Sequence, residues 1–490
     1  MLLNNLIKGL DVVSVINNNN PEICGIKFDS RKVESGDIFV CLKGNDDGNK
    51  YVCEAIKNGA VAVVSENVLS CNVPCVVVEN SRKFLSLICK KFYNSACDDL
   101  KIIMVTGTNG KTSITYLINA ILNHNNFKCA IIGTNGIFFD NKLLYYGLTT
   151  PDPTELHYYF EVLKNMGAKY VVMEARAHAI KLEKLSGIKT EQIIFTNLTN
   201  EHLDYFKTME DYANTKLNFL TNNNNKLAIV NADDDYGLGA VKNNFPVITY
   251  GLKNPADTFG VNIVESLMGL NFTANVMDNV FKINSSLTGL YNVYNILASI
   301  TSAKCLGLSD EQISFGVSSL LNIPGRFNKF FLDLNKLVIV DFAHTPDGFF
   351  NVLSEVKKFR NGNIVTLFGC VGYSDKNKRC EMGKIASMFS NKLIVTTDNI
   401  NFENFDDVCD DILHKVSVPY VKIFDRALAI KTAFENLKEN DTLMILGKGC
   451  ETSNLINGVK VPHSDIEEVE KNIESFYGVT KGDRFENSIV

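Results

Sequence analysis

Short apolar segments alternate with amphipathic segments along almost the whole chain. The apolar segments are four or five residues long and rich in β-branched side chains, which is typical of buried parallel strands. The clearest predicted strands are residues 102–105, 170–173, 192–195, 227–230, 337–340, 364–368, 392–396 and 442–445. Several segments between them carry apolar residues at helical spacing, as at 112–123 and 209–220. This alternation predicts an α/β fold with parallel sheets.

Breaks in the pattern divide the 490 residues into three predicted domains. The first 95 residues carry shorter apolar segments, and residues 94–99 form a predicted linker. A second break lies at Pro324-Gly325-Arg326, where a predicted helix ends in a Pro-Gly pair. We therefore expect a small α/β domain at 1–95, a larger parallel-sheet domain at 96–325 and a third α/β domain at 326–490.

The charge balance and the apolar pattern each argue against one class of partner. Lys and Arg number 49 against 55 Asp and Glu, the net charge is −6, and the chain has no basic block, so we expect no nucleic-acid partner. No apolar run approaches the ~18 residues that span a bilayer, so we expect no membrane partner. The 13 cysteines are odd in number and scattered, which favours reduced side chains in a cytoplasmic protein.

A glycine-rich segment, Thr106-Gly107-Thr108-Asn109-Gly110-Lys111-Thr112, lies between a predicted strand and a predicted helix. Glycines let such a loop turn tightly and present backbone N–H groups to phosphate oxygens. Lys111 can neutralise the β- and γ-phosphates, and the Thr112 hydroxyl can reach a magnesium ion. Val105 stands where the general motif has its first glycine, so this is a variant loop. The pattern predicts a bound nucleoside triphosphate but does not distinguish kinases, ATPases and ligases.

A second segment indicates which family of nucleotide-binding enzymes the chain resembles. Residues 196–216 read TNLTNEHLDYFKTMEDYANTK, and with the phosphate loop they resemble the Mur ligases. Further segments that match the family in order are Phe28-Asp29-Ser30-Arg31, Gly36-Asp37-Ile38-Phe39, Thr149-Thr150-Pro151-Asp152, Tyr291-Asn292-Val293-Tyr294-Asn295, Pro324-Gly325-Arg326-Phe327, Asp341-Phe342-Ala343-His344-Thr345-Pro346-Asp347 and Gly447-Lys448-Gly449. The resemblance covers nearly the whole chain, and so many motifs in the right order are not expected by chance.

The resemblance implies an ATP-dependent ligase of peptidoglycan synthesis. Such an enzyme adds a free amino acid to the D-glutamate γ-carboxyl of UDP-N-acetylmuramoyl-L-Ala-D-Glu. In the family, ATP phosphorylates the carboxylate, the amine attacks the acyl phosphate, and ADP and phosphate are released. The three predicted domains then correspond to a uridine-nucleotide-binding domain, a central P-loop ATP-binding domain and a Rossmann-like amino-acid-binding domain. From the family we also expect a monomer.

The family's catalytic residues match four positions, Lys111, Glu174, His202 and Lys216. The resemblance implies two magnesium ions, one held by Thr112 and Glu174 and the other by His202. Lys216 matches a lysine that is carbamylated in the family. Carbamylation converts an ammonium group, which would repel magnesium, into a carboxylate-like metal ligand.

The nucleotide and substrate positions also follow from the resemblance. The ATP-binding set is Gly107, Thr108, Asn109, Gly110, Lys111, Thr112, Ser113, Asn292, Asn295, Arg326, Asp341 and His344. The set for the UDP-sugar dipeptide and the amino acid is Ser30, Thr149, Thr150, Arg176, Lys184, Arg379, Asp398, Asn399, Asn401, Gly447 and Glu451. Ser30 is expected at the uridine end, and Thr149 and Thr150 at the dipeptide. His178 lies near the family's substrate loop.

Two segments depart from the family pattern. Arg176 replaces a serine and Lys184 replaces an arginine, so we hypothesise that Arg176 takes over part of the recognition of the dipeptide carboxylate. Enzymes that add meso-diaminopimelate carry Asp-Asn-Pro-Arg where this chain has Asp398-Asn399-Ile400-Asn401, and a second family arginine is Ser374 here. A bidentate arginine is the natural partner of each diaminopimelate carboxylate. We therefore expect L-lysine or another amino acid without a second carboxylate.

Three alternatives stay open. The chain could add meso-diaminopimelate through an atypical pocket, or it could be a Mur-like amide ligase of a secondary pathway that joins another acid and amine. A third reading is a scaffold that binds nucleotides without catalysis. That reading predicts loss of the phosphate-loop lysine, of the metal ligands or of the lysine at 216, and all of them are present.

Overall fold

The computed structural model describes residues 1–17, 19–44, 46–199, 206, 208–221, 224–241, 245–373 and 375–478. The chain forms two compact units. Unit one comprises Met1–Val261, Ala274–Phe281 and Tyr294–Ser319, and unit two comprises Asn262–Thr273, Lys282–Val293 and Leu320–Val490. Among the helices of the described chain, none has the length and apolarity that crossing a lipid bilayer requires.

Unit one begins with a five-stranded sheet. Its strands are β1 (Ser14–Ile16), β2 (Gly25–Lys27), β3 (Asp37–Val40), β4 (Ala62–Ser65) and β5 (Cys75–Val77), and its helices are Leu3–Ile7, Val52–Lys57 and Ser81–Phe92, with 3₁₀ turns at Ser30–Lys32, Gly48–Tyr51 and Ala96–Asp99. The strand order is β1-β5-β4-β3-β2, with β1 antiparallel to β5 and the other pairs parallel. Leu6, Ile38, Val64 and Phe84 are buried in the core on this sheet.

The second sheet of unit one carries the phosphate loop. Its strands are β6 (Lys101–Thr106), β7 (Cys129–Gly133), β8 (Gly136–Phe139), β9 (Lys142–Tyr145), β10 (Tyr170–Glu174), β11 (Gln192–Phe195), β12 (Ala228–Asn231) and β13 (Val247–Gly251), and their order is β13-β12-β11-β6-β10-β7-β8-β9. Strands from β13 to β7 are parallel, whereas β8 and β9 are antiparallel. Because parallel strands end at the same edge, Thr106 and Glu174 lie close together there.

The helices that accompany this sheet are Lys111–His124, Pro153–Asn165, Ala177–Lys181, Met209–Leu220, Asp235–Val241, Leu290–Cys305 and Asp310–Ser318. Three further strands follow β13 in the chain: β14 (Thr258–Ser266), β15 (Gly269–Val276) and β16 (Asn279–Ser285). Ile102, Met104, Val171 and Met173 are fully buried in the core on the central strands. These strands read as continuous apolar segments because parallel sheets are covered on both faces.

Unit two contains a six-stranded sheet and a hairpin. Its strands are β17 (Asn328–Leu332), β18 (Lys336–Asp341), β19 (Ile364–Phe368), β20 (Lys392–Val395), β21 (Tyr420–Lys422), β22 (Thr442–Leu446), β23 (Ser453–Ile456) and β24 (Val459–Pro462), and its helices are Pro346–Phe359, Lys376–Phe389, Phe405–Leu413, Arg426–Glu435 and Asp465–Tyr477. The sheet order is β17-β18-β22-β19-β20-β21, and only β17 is antiparallel.

The predicted fold class is confirmed. All eight predicted strands are present, with bounds that differ by at most one or two residues, and the sheets are rich in parallel pairs. Each of the three predicted domains contains one main sheet, while the domain boundaries near 95 and 325 stay predictions.

A buried ion pair links two helices to the sheet of unit two. Arg426 and Asp465 each begin a helix, and neither side chain is more than 1% exposed. The guanidinium donates to both Asp465 oxygens at 2.7 Å and to the carbonyls of Thr397 and Leu446 at 3.1 and 2.9 Å. Burial opposes the charge on Asp465, but Arg426 holds the pKa of its carboxyl below the usual range. The pair therefore fixes both helices to the ends of β20 and β22.

We predict that Asp465→Asn lowers the free energy of unfolding of unit two by about 3–5 kcal/mol, because it leaves a buried guanidinium without its counter-charge. Urea unfolding of the full chain measures this. Glu468→Gln is the matched control, since it breaks an exposed pair with Lys471 on the same helix and should leave the unfolding curve unchanged. A wild-type curve for Asp465→Asn would contradict the role given to the pair.

Candidate active site

The phosphate loop joins β6 to the helix Lys111–His124, and its surroundings require two glycines. Gly110 has a φ of 89°, in the left-handed region, and a Cβ there would overlap the side-chain oxygen of Asn295. A Cβ at Gly107, where φ is 140°, would overlap the side chain of Thr196. The loop therefore approaches its neighbours so closely that only glycine fits at both positions.

Asn197 and Lys111 fix the shape of the loop. Asn197 accepts from the Thr108 N–H through its backbone carbonyl at 2.8 Å and from the Asn109 N–H through its side-chain oxygen at 2.9 Å. The Lys111 ammonium donates to the carbonyls of Gly107 and Thr108 at 3.0 and 2.6 Å. An ammonium group and a helix N-terminus thus meet at the loop, which is the set of donors that binds polyphosphates.

Glu174 ends β10 beside the loop and is only 1% exposed. Its Oε1 accepts from the Thr112 hydroxyl at 3.0 Å and from the Thr134 N–H at 2.8 Å, and its Oε2 accepts from the Thr134 hydroxyl at 3.2 Å. A carboxylate and a hydroxyl are oxygen ligands of the kind that magnesium prefers. The residues present therefore fit a magnesium ion bound together with nucleotide phosphates.

Among the described residues, no group of three or more His, Cys, Asp or Glu side chains could hold a metal. An ion at Glu174 and Thr112 would therefore take further ligands from phosphate oxygens and water, which is the usual coordination of magnesium at nucleotide sites. The predicted ligand His202 lies outside the described residues.

Lys216 lies on the helix Met209–Leu220 and is 1% exposed. Its Nζ lies 2.5 Å from the Tyr212 hydroxyl and 4.0 Å from the centroid of the Tyr212 ring. Tyr212 is equally buried, and its hydroxyl lies 3.4 Å from the Thr108 hydroxyl in the phosphate loop. The helix thus brings a buried lysine to the loop through one tyrosine.

Aromatic contacts extend this cluster to His178. The His178 ring lies 5.5 Å from the Phe206 ring, and Phe206 lies 5.1 Å from the Tyr212 ring. His178 therefore belongs to the same cluster as Lys216.

The two predicted dipeptide-binding threonines lie at the same edge of the sheet. The Thr150 hydroxyl donates to the Glu174 carbonyl at 2.8 Å and accepts from the Arg176 N–H at 3.2 Å. The Thr149 hydroxyl lies 3.4 Å from that of Thr134, the residue that also contacts the Glu174 carboxylate. The Arg176 side chain is exposed. The magnesium candidate and the predicted dipeptide site are therefore neighbours.

Two further predicted substrate residues have partners elsewhere in unit one. Lys184 forms an ion pair with Asp152 at 2.7 Å, and Asp152 follows the two threonines in the chain. Ser30 lies in the N-terminal part of the chain, where it is buried and donates to Glu54 at 2.7 Å.

The remaining nucleotide positions, apart from Asn295, lie in unit two. The Arg326 guanidinium lies 4.5 Å from the Phe342 ring centroid, and His344 Nδ1 lies 2.9 Å from the Phe342 carbonyl. Asp341 accepts from two backbone N–H groups at 2.7 and 2.6 Å. Burial raises the pKa of Asp341, and the Arg326 charge opposes that shift. Asn292 donates to a backbone carbonyl one turn earlier at 2.7 Å.

The predicted amino-acid site contains a buried network around Lys448. The ammonium lies 2.8 Å from Glu451, 3.2 Å from the Asn399 side-chain oxygen and 3.5 Å from Asp398. Asn399 also donates to Glu451 at 2.9 Å. Burial raises the pKa of Asp398, and Lys448 opposes this. Gly447 has a φ of 112°, and a Cβ there would overlap the Asp398 carboxylate, so glycine is required.

Two other residues predicted at this site have structural partners. Arg379 is fully buried and donates to both oxygens of Glu403 at 2.7 Å and to Asp411 at 2.9 Å. The guanidinium lowers the pKa of Glu403 to about 2. Asn401 has a φ of 54°, and its side-chain oxygen accepts from the Gly458 N–H at 3.1 Å. The Arg379 charge is neutralised, and Asn401 caps the turn between β23 and β24. Ser374 lies outside the described residues.

Sequence reasoning did not select Thr134, Asn197 or Tyr212. Thr134 directly follows β7, so its place at the carboxyl edge of the sheet was a usable signal. Tyr212 precedes Lys216 by four residues on a helix, which places both side chains on one face. Asn197 contacts the loop across 88 residues of sequence, a relation that no local pattern contains.

Comparisons with known proteins identify families and relatives that this chain resembles. The family models for the Mur ligase middle domain and the Mur ligase glutamate ligase domain match residues 105–303 and 325–449. A UDP-N-acetylmuramoyl-L-alanyl-D-glutamate–2,6-diaminopimelate ligase from Clostridioides difficile is 37% identical over 480 residues, covering 96% of this chain and 98% of the relative. A solved structure of a ligase with that name is 31% identical, has a TM-score of 0.67, and the match covers 92% of this chain and 95% of that one.

A further solved structure has a lower sequence identity to this chain, and its similarity therefore shows only a shared fold. The MurF ligase from Thermotoga maritima, solved in complex with ADP, is 20% identical with a TM-score of 0.62, and the match covers 92% of this chain and 97% of that one.

We predict that Gly110→Ala weakens ATP binding at least tenfold, because the new methyl group would displace Asn295 or distort the loop. Titration calorimetry with a non-hydrolysable ATP analogue and magnesium measures this. Gly307→Ala is the matched control, since Gly307 has a φ of 90° but open space around its Cβ position. This control should cost about 1 kcal/mol of stability and leave nucleotide affinity unchanged. Equal affinity for wild type and Gly110→Ala would count against the loop as the ATP site.

Proposed function

The chain belongs to the Mur ligase family, and from this premise we propose that it joins an amino acid to the D-glutamate γ-carboxyl of UDP-N-acetylmuramoyl-L-alanyl-D-glutamate. The family makes it an ATP-dependent ligase that uses magnesium. One observation carries the proposal: the contact of Thr112 with the buried Glu174 at the phosphate loop, beside Thr149 and Thr150. This arrangement supports a site where the triphosphate and the substrate carboxylate meet.

The roles of the residues follow from their chemistry. Lys111 would neutralise charge on the β- and γ-phosphates, and the loop N–H groups would orient them. Glu174 and Thr112 would hold magnesium, which supplies positive charge between the phosphates and the γ-carboxylate. A carboxylate oxygen would then attack the γ-phosphorus, forming an acyl phosphate as ADP leaves. The amine of the amino acid would attack the acyl carbon, and phosphate and a proton would leave as the amide forms. Exclusion of water protects that intermediate.

We propose a second magnesium ion held by His202 and by Lys216 in its carbamylated form. What supports this is the placement of Lys216 in a buried position that reaches the phosphate loop through Tyr212. We further propose a cytoplasmic monomer that binds ATP through Asn292, Asn295, Arg326, Asp341 and His344 in addition to the loop.

The proposal also concerns which amino acid the enzyme adds. The relatives reported above are named for 2,6-diaminopimelate, so the expectation of L-lysine is not confirmed and stays a prediction. Two contacts support an amino acid without a second carboxylate. Arg379 is neutralised by Glu403, and Asn401 is uncharged and bound to the turn at Gly458. Glu451, beside Asn399, is ion-paired with Lys448 at 2.8 Å but partly exposed, and we propose that an ammonium group of the amino acid binds its exposed side.

The alternatives rest on other observations. The names of the relatives favour meso-diaminopimelate, which this chain would then bind through an atypical pocket. The exposed Arg176, where the family has serine, favours a secondary-pathway ligase with another acid substrate. Ser30, Thr149 and Thr150 match the family positions for the UDP-sugar dipeptide and support that substrate instead.

We predict that L-lysine, or another amino acid with one carboxylate, supports ADP release from ATP with a kcat/KM at least tenfold above that of meso-diaminopimelate. The reason is that a second carboxylate buried without a cation costs several kcal/mol. The assay uses the full chain, UDP-N-acetylmuramoyl-dipeptide, magnesium and a panel of amino acids, with reactions lacking the nucleotide sugar as controls. A preference for meso-diaminopimelate would refute the lysine assignment. Absence of release with every amino acid would refute the acid substrate.

We predict that Arg176→Ser raises the KM for UDP-N-acetylmuramoyl-dipeptide about tenfold, because a charge-assisted hydrogen bond to a substrate carboxylate is lost. The KM for ATP should stay unchanged, which separates this effect from damage to the phosphate loop. Lys181→Ser is the matched control, since it removes a nearby exposed cation that pairs with Asp211. An unchanged KM for the nucleotide sugar in Arg176→Ser would sink the hypothesis that Arg176 recognises its carboxylate.

A further inference from the structure

We propose that Tyr212 is a positioning residue whose hydroxyl holds Lys216 at the phosphate loop and sets the direction in which the Lys216 carbamate extends. This inference rests on the proposed function, because the carbamate belongs to it. The geometry that carries it is a chain of two contacts. Lys216 Nζ lies 2.5 Å from the Tyr212 hydroxyl, which lies 3.4 Å from the Thr108 hydroxyl.

The position of the Tyr212 hydroxyl is fixed from several sides. Tyr212 and Lys216 are four residues apart on one helix, so their side chains share a face. Thr208 caps that helix by accepting from the Asp211 N–H at 3.1 Å. Phe206 packs against the Tyr212 ring at 5.1 Å, and the tyrosine is 1% exposed. The hydroxyl therefore has little freedom to move away from Lys216.

Donor and acceptor chemistry gives the contacts a direction. An ammonium group can only donate, so Lys216 donates to the Tyr212 oxygen. The phenol proton is then available for donation to the Thr108 hydroxyl oxygen, which also accepts from the Thr199 N–H at 3.0 Å. The hydrogen bonds thus run from Lys216 into the phosphate loop. A tyrosine joins the two because its hydroxyl accepts and donates at once.

The same hydroxyl can serve lysine before and after carbamylation. The neutral amine of Lys216 attacks dissolved CO₂, an N–C bond forms, one C–O π pair moves onto oxygen, and one N–H proton is released to the buffer. The carbamate nitrogen keeps one N–H group, which can still donate to the Tyr212 oxygen. Its two oxygens must then extend away from Tyr212. One hydroxyl therefore both retains the nitrogen and selects the orientation of the new carboxylate-like group.

Tyr212→Phe tests this because it keeps the ring beside Nζ and removes only the hydroxyl. The full chain is titrated with ¹³C-labelled bicarbonate, and ¹³C NMR reports the Lys216 carbamate, identified by its absence in Lys216→Ala. We expect the bicarbonate concentration for half-maximal signal to rise about five- to tenfold in Tyr212→Phe, as for the loss of one hydrogen bond to a charged group. A titration curve that matches wild type would overturn the proposal.

Tyr250→Phe is the matched control. Tyr250 is also a buried tyrosine of unit one, and its hydroxyl donates to the Phe195 carbonyl at 3.1 Å, so its loss has a similar structural cost. This variant should titrate like wild type, and an equal shift in both variants would overturn the proposal.

A second pair of variants tests the inference without Tyr212→Phe. Thr108→Val removes the hydroxyl that Tyr212 contacts, whereas Thr108→Ser keeps it. We expect the bicarbonate requirement to rise in Thr108→Val and to stay at the wild-type value in Thr108→Ser. Equal requirements in the two variants would overturn the proposal even if Tyr212→Phe failed to fold.

The bicarbonate titration needs no nucleotide sugar. Its outcome is therefore independent of the ADP-release assay that tests the proposed function. A wild-type chain that carries the Lys216 carbamate but releases no ADP with UDP-N-acetylmuramoyl-dipeptide would refute the proposed function and leave the role of Tyr212 standing. A wild-type chain that shows no Lys216 carbamate at any bicarbonate concentration would overturn the role of Tyr212, whatever its activity.

Discussion

The proposed reaction must bring a triphosphate and a carboxylate together although both are negatively charged, and the structure depends on meeting this constraint. The parallel strands β6 and β10 end at one edge, which places the phosphate loop beside Glu174. Glu174 adds a further negative charge. The negative charges at the site are therefore balanced only when Lys111 and a divalent cation are both present. Burial of Glu174 strengthens its interaction with a bound cation, because electrostatic interactions are stronger where water is excluded.

Much of the site could be predicted because its residues are consecutive or follow strands. The phosphate loop occupies one short segment between a strand and a helix, and Glu174 is the last residue of a predicted strand. Other contacts join distant segments and have no local signature. The Asn197 side chain shapes the loop from the end of β11, and the antiparallel strands β8 and β9 interrupt the expected parallel pattern.

The amino-acid site shows more clearly that the sequence does not reveal which residues contact each other. The motif comparison could identify Arg379 as a cation near the site, but whether that charge is available depends on Glu403, 24 residues later in the chain. Likewise, Asn401 looks like a polar pocket residue in the sequence, whereas its backbone conformation and its bond to Gly458 give it a structural task. Residue type predicts chemistry only where the partners of the residue are also known.

The structural role of Asn401 has a consequence for how the amino-acid pocket can be altered. Asparagine tolerates the left-handed backbone conformation better than most residues, and here its side chain also completes the neighbouring hairpin. Arginine at position 401 would strain the backbone and remove the hydrogen bond to the hairpin. It could be accommodated only together with a change in the β23–β24 turn. Introducing an arginine into this pocket therefore requires that the hairpin be redesigned at the same time.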